Sequence, residues 1–256
     1  MFIYLGQLLI VSLQGLTVDI GRDANLLHTC HEIYCNNCYG ELNLEPSDVV
    51  LDCGANIGLF SLLVSPRVRS VVSVEALRDN YVMLVANVRR NGLPNIRPFH
   101  NAVYSCETIL PLYGESVGAN LYRNIFSRHV EYVQTVTIDR LSSSMNTRFT
   151  VLKIDVENAE VEALKGAEET LKHVREVVVE YHSDSLKHEC EQILEGNGFK
   201  VTSVKPKKDI AWLKGYVLLN YRQILMHCKP DCFRLRREPR KTFEDEALGV
   251  INASSR

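Results

Sequence analysis

Residues 49–60, "VVLDCGANIGLF", form an apolar run broken by Asp52 and then by two glycines four positions apart, Gly54 and Gly58. A short run rich in β-branched residues and bounded by glycine reads as a strand buried on both faces, and "IGLFSLLVSP" after it reads as a helix ending near Pro66. Strand, glycine turn and helix together open a doubly wound α/β sheet. In such sheets ligands bind beyond the carboxyl ends of the strands, and the first strand-to-helix turn is the usual cradle. Gly54 is expected to take a positive φ and let the backbone approach a ligand, and Gly58 to let the helix lie close against the strand. The helix start offers free N–H groups and a positive dipole end.

The same rhythm continues along the chain. "SVVSVEA" (70–76) is a second strand, and "RDNYVMLVANVRRNG" (78–92) a helix that Gly92 stops. "IRPFHNAVY" (96–104) reads as a third strand, and "VQTVTIDRL" (133–141) and "FTVLKIDVE" (149–157) as two more. "AEVEALKGAEETLKHV" (159–174) has the period of one amphipathic helix; the strand "REVVVEYH" (175–182) and the helix "SLKHECEQILEGNG" (185–198) follow. "FKVTSVKP" (199–206) and "GYVLLNY" (215–221) close the series with no long helix between them, which suggests an antiparallel hairpin at one sheet edge. Strands alternating with helices give a mostly parallel sheet, because each parallel connection needs a crossover. Residues 112–132 lack periodicity and read as a long loop of the kind that carries function.

These readings divide the chain into a strand-and-helix prelude (1–45) packed on the core, an α/β domain (46–221) and a charged extension (222–256), basic up to Lys241 and acidic after it. With 256 residues, 46% apolar and 23% charged, the chain can bury one full-sized core. A net charge of -2 provides no global field for nucleic acid or an anionic membrane. The apolar N-terminus has no basic leader and is too short to span a bilayer, so the expected location is cytoplasmic. Eight cysteines in a chain of this length fit a reducing compartment. "CHEIYCNNCYG" (30–40) and "CKPDC" (228–232) could together make a zinc site, but their spacings are irregular, and cysteine as a small apolar filler is the preferred reading, with no metal expected.

The turn reads G-x-N-x-G, without the third glycine that admits a dinucleotide pyrophosphate. A ligand with an amine and a carboxylate suits it better: Asp52 would serve the ammonium, and the backbone amides after Gly54, at Ala55 and Asn56, the carboxylate. Glu75, about twenty residues on, ends a buried strand where an acid partners ribose hydroxyls. Asn101, beside Ala102, could present an amide to a purine edge. An adenosine carrying an amino-acid tail is S-adenosylmethionine.

On these residues the chain resembles the FkbM-like branch of the class I S-adenosylmethionine-dependent methyltransferases. The supporting motifs are "VVLDCGANIGLFSLL", "VVSVEA", "FHNAVYS", "VQTVTIDRL", "VLKIDVENAEVEALKGAEETL" and "VVVEYH", in order over about residues 30–221. The resemblance implies a Rossmann-like seven-stranded, mostly parallel sheet whose last strand is antiparallel, and methyl transfer, usually to a hydroxyl oxygen of a small molecule or sugar. It assigns Asp52, Gly54, Asn56 and Gly58 to the methionine end, Glu75 to the ribose and Asn101 to the adenine. Asp155 falls where sulfonium and acceptor meet, and Glu157, Glu160, Glu180 and His182 match positions around the same mouth. Asn158 stands where the family usually has glycine; asparagine tolerates a left-handed backbone.

Removing a hydroxyl proton needs a base. His182 is the first choice on intrinsic pKa and Asp155 the best-placed carboxylate, with a metal held by the acids and His182 as an alternative aid. Structural roles compete: Asp155 or His182 could cap the following helices, and Glu157 and Glu160 could be first-turn acids. Two rival functions remain. One is an RNA methyltransferase using Lys205, Lys207, Lys208, Arg234, Arg236, Arg237, Arg240 and Lys241, which the near-neutral charge disfavours. The other is a non-catalytic cofactor-binding module, which the intact Asp52, Glu75 and Asp155 disfavour.

Overall fold

The computed structural model describes residues 2–5, 8–13, 15–21, 24–34, 38–39, 42–115, 118–122, 129–204 and 249–255. The prelude forms a three-stranded antiparallel sheet, β1 (Phe2–Leu5), β2 (Leu8–Leu13) and β3 (Leu16–Asp19), followed by α1 (Ala24–Tyr34). Next come β4 (Val49–Cys53), α2 (Leu59–Val64), β5 (Ser70–Glu75), α3 (Arg78–Arg90) and β6 (Ile96–His100). A short β7 (Ala102–Val103), β8 (Ile109–Tyr113) and β9 (Val130–Val136) form a second small sheet in the order β7-β9-β8. The chain then runs through α4 (Ile138–Ser144), β10 (Val151–Ile154), α5 (Glu160–Lys165), β11 (Glu176–Tyr181), α6 (Asp184–Gly196), β12 (Phe199–Val204) and β13 (Gly249–Ser255).

The main sheet has seven strands in the order β12-β13-β11-β10-β4-β5-β6. The five from β11 to β6 are parallel, and β13 is antiparallel to both of its neighbours. Every residue of β4 is buried, which is why its sequence is a continuous apolar run. Alternation splits it between two cores. Val49, Leu51 and Cys53 join Leu141, Leu164 and Leu194 on one face, while Val50 joins Leu26, Leu62 and Leu84 on the other. Val18, Ile20 and Ile33 of the prelude belong to the second core. Among the described residues no helix is long and apolar enough to cross a membrane.

Several elements differ from their sequence reading. The antiparallel last strand is Gly249–Ser255, inside the stretch assigned to a charged extension; "GYVLLNY" and the basic residues from Lys205 to Lys241 lie outside the described residues, as do Cys35, Cys228 and Cys232. "IRPFHNAVY" is two strands in different sheets: at Asn101, whose N–H donates to the Glu75 carbonyl, the chain leaves the main sheet for the small one. The segment read as a loop over 112–132 starts and ends in strand, since β8 and β9 pair antiparallel and take in Leu112, Tyr113 and 130–132; of the residues between, 116–117 and 123–128 are not described. "TIDRL" is helix from Ile138, because the Thr137 hydroxyl accepts the Arg140 N–H and caps α4. The helix expected over 159–174 ends at Lys165. A Cβ on Gly166 would stand 2.4 Å from the Tyr104 carbonyl oxygen, so only glycine passes there, and the chain resumes as a 3₁₀ turn at Thr170–Lys172.

Candidate active site

The carboxyl ends of β4, β5, β10 and β11 lie side by side and open into a cavity of about 440 Å³, within the range of small-molecule sites. Gly54, Ala55, Asn56, Glu75, Asn101, Ala102, Asp155, Glu157 and Glu180 all line it. Asp52, Gly58, Glu160 and His182 do not. The prelude contributes Thr29, Glu32, Ile33, Cys38 and Tyr39, and the connection from β8 to β9 contributes Gly118 to Leu121.

The glycine turn has a different use from the one its sequence suggests. Gly54 is left-handed, at φ 76°, but a Cβ there would lie 1.7 Å from the Asp155 carbonyl oxygen, so the missing side chain lets β10 close on the turn rather than a ligand. Gly58, at φ 93°, leaves room for Leu84 of α3, 2.6 Å from its ideal Cβ. The amides expected to hold a carboxylate are engaged within the protein. Gly54 and Ala55 N–H donate to the Val74 carbonyl, Asn56 N–H to Glu75 Oε2 and Gly58 N–H to the Ala55 carbonyl. Asn56 itself sits at φ 51°, a conformation asparagine tolerates.

Asp52 is sealed, at 0% exposure, and does not reach the cavity to meet an ammonium. Its Oδ2 accepts the Ser61 hydroxyl, and its Oδ1 is 3.2 Å from Lys153 Nζ. Lys153 lies opposite Asp52 in the β4–β10 register, 2% exposed, and its ammonium also donates to the Gly54 carbonyl at 2.8 Å and pairs with Asp155 Oδ2 at 3.2 Å. Burial alone would lower the ammonium's pKa, but the charges of Asp52 and Asp155 outweigh it and hold the group well above its ordinary value. The Tyr39 hydroxyl donates to the same Asp155 oxygen at 3.2 Å. Lys153 and Tyr39 therefore orient Asp155, and sequence reasoning passed over both. The available signal was a lone lysine inside the apolar run "VLKIDV", which demands a buried partner.

Glu75 is 7% exposed and accepts N–H groups from Asn56 and Leu77, at 2.8 Å each; burial nevertheless pushes its carboxyl up to about 7. Asn101 donates from Nδ2 to the Gln134 carbonyl, which leaves its second amide hydrogen for a ligand. Glu180 reaches the cavity from β11, and burial followed by the charge of Asp155 raises it to about 8.

His182 is not placed as a free base. Its Nδ1 is 3.0 Å from Glu160 Oε1 and its Nε2 3.3 Å from Glu157 Oε2. Burial would lower its pKa, but the Glu160 hydrogen bond and the Glu157 charge raise it to about 9, so the imidazole is a cation near neutrality with its proton already in place. It does not cap α6; the Ser183 hydroxyl does, accepting the Leu186 N–H. Burial raises Glu157 to about 7, partly offset by His182. Glu157 and Asn158 are consecutive left-handed residues, at φ 50° and 77°, so asparagine keeps the turn that glycine would make.

Comparison with known proteins identifies the fold and the chemistry. Residues 52–201 match the family model described as the methyltransferase FkbM domain. Methyltransferase sdnD of Sordaria araneosa is 29% identical over 209 residues, which cover 67% of this chain and 81% of that protein. The 31-O-demethyl-FK506 methyltransferase FkbM of Streptomyces tacrolimicus is 30% identical over 211 residues, with the same two coverages. Hexuronic acid methyltransferase AglP of Haloferax volcanii is 28% identical over 140 residues, 54% of this chain and 58% of that one. Among solved structures, methyltransferase FkbM from Methylobacillus flagellatus superposes with a TM-score of 0.52 at 21% identity, a likeness of fold; it covers 72% of this chain, which spans half the length of that one. The chain belongs to the FkbM family of S-adenosylmethionine-dependent methyltransferases.

Proposed function

We propose that this enzyme methylates a hydroxyl oxygen on a small molecule or a sugar. The observation that carries the reading is Glu180, a carboxyl on the cavity wall near Asp155 at the strand ends whose ionised form, reached as pH rises past about 8, is a base for an acceptor's proton. Of two relatives, the name 31-O-demethyl-FK506 methyltransferase agrees with transfer to oxygen on a small molecule, and the name hexuronic acid methyltransferase with a sugar acceptor.

The cavity suits the cofactor on charge. Glu32, Glu75, Asp155, Glu157 and Glu180 face it, with Lys153 as the basic lining residue; burial raises Glu75, Glu157 and Glu180, and a cationic ligand favours their ionised forms, so the wall suits a ligand that is positive overall. S-adenosylmethionine, with an ammonium, a sulfonium and one carboxylate, is such a ligand, and when bound it supplies an electrophilic methyl group. Glu75, Asn56 and Asn101 would hold its adenosyl half. Asp155, fixed by Lys153 and Tyr39, would orient the reacting end. Glu180 receives the acceptor's proton. The prelude residues around Tyr39 and the segment from Gly118 to Leu121 wall the space left for the acceptor, and their irregular sequences are where acceptor choice would reside.

The test is incubation with labelled S-adenosylmethionine and a panel of alcohols, glycosides and uronic acids, followed by mass spectrometry and alkaline treatment. An alkali-stable methyl product is an ether and supports the reading; an alkali-labile ester on a uronate carboxyl overturns it. Glu180→Gln should keep S-adenosylhomocysteine binding yet lose about a hundredfold or more in turnover. Unchanged turnover would remove Glu180 from the mechanism.

A further inference from the structure

At the cavity wall, the turn after β10 and the end of β11 bring Asp155 together with Glu157 and His182, two side chains that methyl transfer as outlined above does not use. One oxygen each from Asp155 and Glu157 and one imidazole nitrogen of His182 lie within 4.8 Å of one another, and all three residues are partly buried. We propose that Asp155, Glu157 and His182 bind one divalent first-row cation, with Mn²⁺ and Zn²⁺ as its best-suited occupants.

The ligand set fits the chemistry. Two carboxylate oxygens and one neutral imidazole nitrogen are a mixed hard and borderline set, which suits Mn²⁺, Fe²⁺ or Zn²⁺ better than Ca²⁺. Ligand atoms held at about 2.1 Å from one ion are spaced about 3–4 Å apart. His182 Nε2 and Glu157 Oε2 are already 3.3 Å apart, and the outer limit of 4.8 Å closes with a small side-chain movement.

Three acids on an open surface would carry no such meaning. Here the imidazole is aimed by a buried outer partner: Glu160, 0% exposed, holds Nδ1 at 3.0 Å and also accepts the Asn158 N–H. That leaves Nε2 directed at Glu157. A carboxylate behind a metal-facing histidine is the arrangement that fixes the tautomer and ring plane at metal centres. The second oxygen of Glu160, Oε2, is buried without a hydrogen-bond partner among the described residues. Around this corner the acidic side chains of Asp155, Glu157, Glu160 and Glu180 crowd about Lys153 and His182. A bound divalent ion would take the place of the Nε2 proton.

Asp155 and Glu157 line the cavity, so the ion's open positions face the ligand. Its role there rests on the hydroxyl-acceptor reading: a hydroxyl oxygen, or two neighbouring oxygens of a sugar, would complete the coordination and lose a proton more readily. The ion itself depends only on the three side chains.

Titration calorimetry of the full chain, stripped with chelator, against MnCl₂ and ZnCl₂ tests the site, with S-adenosylhomocysteine titrated in parallel. One ion per chain is expected, weakened at least about tenfold in both Glu157→Gln and His182→Gln, and Mn²⁺ electron paramagnetic resonance should show the bound ion lost in both. Circular dichroism identifies folded variants. Glu157 is 29% exposed, so Glu157→Gln decides the matter if His182→Gln does not fold. Failure of the folded wild type to bind either ion at millimolar concentration, or binding unchanged in Glu157→Gln, overturns the proposal. S-adenosylhomocysteine bound by a wild type that takes up neither ion sinks the ion and leaves the methyltransferase reading standing; an alkali-labile methyl product sinks the hydroxyl acceptor and leaves the ion standing.

Discussion

Lys153 and His182 are each a cation set between two carboxylates, and they sit on neighbouring strand ends. Lys153 bridges Asp52 and Asp155 with side-chain exposures of 3% and 0% for itself and Asp52. His182 bridges Glu157 and Glu160 at 13% exposure, beside the cavity mouth. The first cluster is a tie: an ammonium whose pKa is raised cannot release its proton near neutrality, and it fastens β4, the glycine turn and β10 together. The second can exchange its cation, because imidazole gives up a proton to a metal whereas a buried ammonium has no lone pair to offer. The same charge pattern gives structure where it is sealed and chemistry where it is not.

The largest effect is expected from breaking the tie. Lys153→Met leaves Asp52 buried opposite no cation, and such a loss costs about 3–5 kcal/mol; urea unfolding followed by circular dichroism measures it. A loss under about 1 kcal/mol would mean that Asp52 does not depend on Lys153.

Glu75 sharpens the comparison as a buried carboxylate held by N–H groups alone, with no ion pair among the described residues. Its pKa rises from 4.5 to about 7 on folding, so the folded state holds a proton that the unfolded state has released between those values, and its contribution to stability falls as pH rises through that window. Glu75→Gln lacks this dependence. Between pH 4.5 and pH 7 the stability of the variant relative to wild type should rise by about 3 kcal/mol, read from melting temperatures and enthalpies at both pH values. A constant difference would refute the raised pKa.

Breaking the open cluster should cost less. His182→Gln keeps a donor toward Glu160, so about 1–2 kcal/mol is expected, and S-adenosylhomocysteine affinity should be unchanged because His182 lies off the cavity wall. A loss as large as that of Lys153→Met would erase the distinction between the clusters. The smallest change is Asn158→Gly. Relief of the left-handed residue and the added freedom of the unfolded chain nearly cancel, so stability should stay within about 0.5 kcal/mol.

The parallel strands were legible because burial on both faces leaves an unmistakable apolar run, as in "VVLDC" and "VLKID". The cavity positions Glu75 and Asn101 followed from their places at strand ends, and Asp155 and Glu180 from the family resemblance. Contacts remote in sequence were not legible. Asp52 looks like a ligand contact until the register sets it against Lys153, and Gly54 looks like a ligand cradle until the Asp155 carbonyl fills the space beside it. His182 reads as a base from its type alone; only the approach of Glu157 and Glu160 makes it a cation. The last strand, "GVINASS", is half polar and stands 44 residues beyond the strand before it, from Val204 to Gly249, so no local pattern announces it.

That strand fills the slot between β11 and β12. During synthesis, β11 therefore emerges as an open sheet edge, its N–H and C=O groups unpaired, and stays so until residues 249–255 leave the ribosome. An edge of this kind, carrying the apolar "EVVVEY", is a template for pairing with other nascent chains. The protein thus has a window of aggregation risk set by translation time, and slower elongation over residues 205–248 would lengthen it.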